Sequence, residues 1–119
     1  MDLTPVVTEE RFEELVADAL DDLPAWVRER MENVDVLIAD VPPPGQPHLL
    51  GLYEGIPLTR RGVGYGGVLP DRITLFRASI LREARTEEEV RRRVEHTVVH
   101  EVAHYFGISD DRLREIDRY

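Results

Sequence analysis

Residues 86–107, TEEEVRRRVEHTVVHEVAHYFG, restrict the fold more than any other part of the chain. Thr86 followed three positions later by Glu89 forms a capping box, in which side chain and backbone satisfy the free N–H groups of a helix start. Gly107 is a natural stop, because glycine enters the left-handed region without a Cβ penalty. No proline interrupts the interval, so the spacing predicts a helix of about twenty residues. Each residue of a helix turns its direction by about 100°. With His100 as zero, His104 falls at about 40°, His96 at about −40° and Glu101 at about 100°, while Val98, Val102 and Phe106 gather at about 160° to 240°. One face carries the histidines, and the apolar face must find a core.

The preceding sequence supplies elements to pack there. VTEERFEELVADALDDLP reads as a helix from Thr8, with Phe12, Leu15, Val16, Ala19 and Leu20 at helical spacing and Pro24 after its end. PAWVRERMENV predicts a second short helix with Pro24 in its first turn, burying Trp26, Val27 and Met31. VDVLIADV, residues 34–41, reads as a buried strand stopped by PPPG, and a second strand is expected around Leu49 to Tyr53. EGIPLTRRGVGYGGVLP, residues 54–70, holds five glycines and two prolines and predicts a mobile loop or a loose hairpin, whose glycine-rich residues 62–67 could serve as a cleft flap. DRITLFR alternates Ile73, Leu75 and Arg77 against Thr74 and Phe76 and makes a third strand. Beyond Gly107, SDDRLREIDRY restarts as a short helix capped by Ser109 or Asp110. The expected class is α+β, a small mixed sheet packed on the long helix. At 119 residues, 1–119 are expected to form one domain.

Composition removes several functions. With no cysteine, disulfides, thiolate catalysis and Cys-containing zinc sites are excluded, so a metal must bind through His, Asp or Glu. Arginine supplies all 15 bases against 24 acids, and the net charge of −9 opposes binding to nucleic acid or anionic membranes. No basic start precedes an apolar stretch and no run reaches the length of a membrane span, so the expected location is cytoplasmic, without a membrane partner.

HEVAH, residues 100–104, fits H-E-x-x-H. Two imidazoles one helical turn apart can reach one zinc ion, and the intervening glutamate points at the open position without binding the metal. Zinc needs a third protein ligand, and Asp110 arrives six residues after His104, beyond the turn that Gly107 permits. The competing reading makes Asp110 a helix cap, with Asp111 or Glu115 as substitute ligands.

The extended pattern H-E-x-x-H-x-x-G-x-x-D resembles the zincin metallopeptidases, most of all the small bacterial zincin-like family that keeps little beyond the catalytic core. The resemblance implies one zinc ion held by His100, His104 and Asp110, with Glu101 as the general base on a zinc-bound water in amide hydrolysis of a peptide or protein substrate. It also implies that the ITLFR strand is the edge beside the cleft, where a peptide could add as a further strand. The motif is similar to that of metzincins but departs from it: Asp110 replaces their third histidine, and their methionine turn is absent, since the methionines are Met1 and Met31. Aspartate lowers the net positive charge at zinc, so the water should be less acidic and depend more on Glu101. Zincins build the lower cleft wall after the motif, and nine residues follow Asp110, so activity is expected to need a second copy of the chain, another protein or a narrow substrate, unless efficient turnover has been lost.

Other residues read more plainly. His96, one turn before His100, is expected outside the metal shell, as an ordinary surface or core residue or at most a cleft wall, and His48 is read as an ordinary residue. Tyr65 and Tyr105 could each hydrogen-bond an oxyanion, but Tyr105 is expected to pack the helix end. Arg91, Arg92 and Arg93 face Glu87, Glu88 and Glu89 at i,i+4 and predict a solvated, self-paired face. RRGVGYGG lacks the GK[ST] of a phosphate loop. Two rival readings are a zinc-binding scaffold or regulatory module without turnover, against which Glu101 counts, and a metal-dependent ribonuclease, against which Glu101 and the acidic charge count.

Overall fold

The computed structural model of the chain describes residues 6–62 and 69–115. Its element order is α1 (Glu9–Asp21), α2 (Ala25–Arg30), β1 (Val34–Ala39), β2 (Gly51–Glu54), a short 3-10 helix (Leu58–Arg60), β3 (Asp71–Phe76), α3 (Arg77–Arg82), α4 (Glu87–Tyr105) and α5 (Asp110–Glu115). This is the expected α+β arrangement, a three-stranded mixed sheet with helices.

Helix α4 forms where the capping box placed it. The Thr86 hydroxyl accepts from the Glu89 amide at 3.1 Å, and the Glu89 carboxylate accepts from the Arg85 amide at 2.9 Å. Val90, Val94, Val98 and Val102 recur every fourth residue, are at most 4% exposed, and meet Phe12, Leu15, Val16 and Ala19 of α1 in one core. Thr8 caps α1 by accepting from the Arg11 amide at 3.0 Å.

The strand order is β1-β3-β2, with β1 parallel and β2 antiparallel to β3. Paired on both sides, β3 is the central strand, and Ile73 and Leu75 are 1% and 0% exposed. The expectation that the ITLFR strand lies at the edge is therefore overturned, and β2 takes the edge position. Its Gly51 lets α4 come close: a Cβ there would lie 2.7 Å from Thr97 Cγ2 and 3.2 Å from Glu101 Cγ.

Several local expectations change for physical reasons. Trp26 is 55% exposed, because the six residues of α2 offer one inward position and Val27 occupies it. The Trp26 ring instead meets Phe106 edge-on, with centroids 6.0 Å apart. Strand β1 is an edge rather than a buried strand, and its Leu37 is 45% exposed. The glycine-rich stretch is ordered at its start, where the 3-10 helix forms and the Ile56 amide donates to Asp71 Oδ1 at 3.1 Å. Most of the flap expected at 62–67, including Tyr65, lies outside the described residues. Helix α3 follows β3 directly and had no sequence expectation; its start has no side-chain cap.

Candidate metal centre

Helix α4 ends in a reciprocal turn built around Gly107, whose φ is +86°. The Gly107 amide donates to the His104 carbonyl and the Ile108 amide to the Ala103 carbonyl, each at 2.9 Å, which is the Schellman pattern. The chain then reverses into α5, whose cap is Ser109: its Oγ accepts from the Arg112 amide at 3.2 Å, and its carbonyl from the Leu113 amide at 3.0 Å. With Ser109 capping, the Asp110 carboxylate is free to face α4. Leu113, 2% exposed, anchors this short helix in the protein interior.

Three donors converge as a result. His100 Nε2 and His104 Nε2 stand 3.1 Å apart, and Asp110 Oδ1 lies 3.2 Å from the first and 2.8 Å from the second. Donors bound to zinc tetrahedrally at about 2.0–2.1 Å stand about 3.3 Å from one another, so the three need move by no more than about half an ångström to take an ion. Two nitrogens and a carboxylate oxygen are also a donor set that zinc accepts. His104 Nδ1 lies 2.9 Å from the Ile108 carbonyl, and donating there leaves the lone pair on Nε2, facing the other donors. Burial, and then the neighbouring His104, lower the pKa of His100 against the opposing pull of Asp110. Its neutral form, the one that can ligate, is favoured.

Glu101 stands beside this cluster without joining it. Its Oε2 lies 4.0 Å from His100 Nε2, and the residue is 6% exposed. Burial pushes its carboxyl up to about 7, Asp110 adds to the rise, and His104 and the backbone N–H of Tyr53 on β2 oppose it. The edge strand thus donates directly to the glutamate of the motif. Nothing in the spacing of HEVAH announced that amide; it is positioned by Gly51 two residues earlier.

The remaining sequence expectations separate. Asp111 is 90% exposed at its side chain and pairs with Arg114 at 3.3 Å, away from the cluster. The Glu115 side chain lies outside the described residues. His96 is exposed and stacks on His100 with ring centroids 6.2 Å apart, outside the donor cluster. Tyr105 packs the helix end as expected: it is fully buried and its hydroxyl donates to the Glu32 carbonyl at 2.6 Å. The i,i+4 pairs expected of EEEVRRR are not the ones formed. Glu89 is engaged by its capping role, Arg91 meets Glu88 at i,i+3, and Arg93 turns to Glu83 at 3.9 Å.

A buried network supports the turn from the other side. Asp71, at the start of β3, accepts from Tyr53 Oη at 2.5 Å and from Arg61 Nη2 at 2.7 Å. Arg61 also donates to the Ile56 and Glu32 carbonyls, at 2.9 and 3.0 Å. These bonds fix the segment carrying Thr59, which touches Gly107 so closely that a Cβ at 107 would overlap the Thr59 hydroxyl. The glycine composition of residues 54–70 had hidden Thr59 and Arg61 behind the prediction of a loose loop.

No curated protein matches the chain. A conserved hypothetical protein from Thermus thermophilus has a similar structure, with a TM-score of 0.59 and 28% identity over 84% of this chain and 94% of that one. The sequence profile of the zincin-like metallopeptidases matches residues 31–119, a span holding the whole sheet, the HEVAH helix and Asp110. The chain belongs to the zincin-like metallopeptidase family.

Proposed function

We propose that the chain is a zinc-dependent peptidase that hydrolyses internal amide bonds of peptide or protein substrates, with His100, His104 and Asp110 holding the metal and Glu101 acting as general base. The observation that carries this reading is the convergence of three donor atoms from two helices beside a buried carboxylate that is not one of them. A structural zinc site has no use for such a carboxylate, whereas hydrolysis requires a base at the open position.

A zinc ion held by these donors supplies Lewis acidity, acidifying water and polarising a carbonyl. The residues of the chain do the rest. Glu101, raised to about 7, accepts a proton from the attacking water through its carboxylate and returns it to the departing amine nitrogen. The Tyr53 amide holds that carboxylate in place, so proton transfer needs no reorientation of the side chain. His104, bonded to the Ile108 carbonyl, keeps its ring plane and tautomer throughout.

The test is metal content together with peptide-library cleavage for the wild type, Glu101→Gln and His100→Ala. Stoichiometric zinc is expected in the first two and cleavage only in the wild type. Wild-type protein that takes up no zinc would sink the proposal, and zinc uptake without cleavage under any condition would favour a zinc-binding scaffold.

A further inference from the structure

A cleft of about 340 Å³ opens beside His100 and Glu101 and runs back along α4 past Thr97 and His96 to Arg93, with Leu49, Leu50 and His48 as its opposite wall. Its lining is short of carboxylates for a chain of net charge −9. The lining contains an arginine and three histidines but one carboxylate, Glu101, which is committed at the metal centre. Arg93 is weakly engaged: Glu83 lies 3.9 Å away, beyond hydrogen-bond length, and the two side chains are 48% and 44% exposed. His96 and His48 are exposed and can each donate from a ring nitrogen when neutral. Leu49 and Leu50 provide an apolar wall for the methylene groups of a side chain.

We propose that this cleft is a subsite for a carboxylate on the peptide substrate, read by Arg93 with His96 and His48. The assignment of the ligand as part of a substrate rests on the peptidase reading above. Arg93 lies seven residues before His100, about 10 Å along the helix. An extended chain covers that distance in about three residues, so the carboxylate belongs within about three residues of the bond cleaved. The recognising contact is a charge-assisted hydrogen bond from guanidinium to carboxylate, and its contribution falls as salt rises.

Two measurements on the full chain test this. Fluorescence anisotropy would compare a blocked, labelled pentapeptide carrying a central glutamate with its glutamine isostere, using protein without added metal. The glutamate peptide is expected to bind about tenfold more tightly at low salt, with the difference lost in Arg93→Gln and reduced in His48→Ala and His96→Ala. Arg91→Gln, which removes an arginine of the same helix outside the cleft lining, should keep the difference. Library cleavage by the zinc-loaded wild type should select glutamate or aspartate within about three residues of the cut, and Arg93→Gln should lose that selection while retaining zinc. Equal affinity for the two peptides, or a preference unchanged in Arg93→Gln, would overturn the subsite. An acidic binding preference without any cleavage would leave the subsite standing and defeat the peptidase reading alone.

Discussion

Arg61 and Asp71 meet at 2.7 Å with side chains 8% and 3% exposed, an ion pair closed off from water beneath the segment that braces the candidate metal centre. Asp71 also holds Tyr53 and the Ile56 amide, so one carboxylate ties three parts of the chain to the start of the central strand. Removing either charge leaves the other buried without its opposite charge. Arg61→Ala and Asp71→Ala are each expected to lose about 3–5 kcal/mol in chemical denaturation. A loss below about 1 kcal/mol for both would mean that the pair contributes no more than a surface pair does.

The same carboxylate makes stability depend on acid. Burial by itself would raise the Asp71 pKa, but hydrogen bonds from Tyr53, the Ile56 amide and Arg61 outweigh it and hold the group below its usual range. A depressed folded pKa contributes stability that is fully present above the unfolded value, about 3.9, and is lost as pH falls through the folded value. Unfolding free energy measured below about pH 4 should therefore fall more steeply with acid in the wild type than in Asp71→Asn. Parallel curves for the two proteins would contradict the assignment.

At Gly107 two demands coincide, a φ of +86° and contact with Thr59. Gly107→Ala meets both penalties, and a loss of about 1–3 kcal/mol is expected together with weaker zinc binding, because Asp110 follows directly from this turn. Adding Thr59→Ala should recover the part due to overlap and leave the part due to φ. Full recovery in the double variant, measured by thermal melts and zinc titration, would show that the backbone angle costs nothing there.

Metal removal offers a readout that needs no substrate. An ion bound by the folded chain alone adds about 2.7 kcal/mol when free zinc is a hundred times its dissociation constant. Wild type and Glu101→Gln should both melt higher with zinc and revert with a chelator, whereas His100→Ala and Asp110→Ala should melt at the same temperature with or without the ion. A zinc-dependent rise retained in Asp110→Ala would remove that residue from the donor set.

What the sequence revealed depended on the range of the interaction. Helix α4, its cap, its valine row and the stop at Gly107 are written in spacings of three and four residues, so they could be read directly. The HEVAH pair is local in the same sense, and Asp110 was legible because a single turn connects it to His104. Trp26 was misplaced because six residues of α2 do not define which side faces inward until Val27 has packed. The central position of β3 depends on partners separated from it in sequence, Val34 with Asp71 and Gly51 with Leu75, which no local pattern records. Arg61 and Asp71 were overlooked for a related reason: glycine and proline report backbone freedom, whereas order in that stretch comes from a carboxylate beyond it.

The Schellman turn after α4 bears on how the chain would capture an ion at the proposed site. His100 and His104 are held one helical turn apart by the backbone before any metal arrives, and the turn with its Ser109 cap delivers Asp110 to the same place. Most of the entropy a flexible chain would surrender on chelation has been surrendered already, during folding. A zinc finger is assembled by its metal. Here the polypeptide brings the three candidate donors together by itself, so under the proposed function ion exchange should proceed with the fold intact.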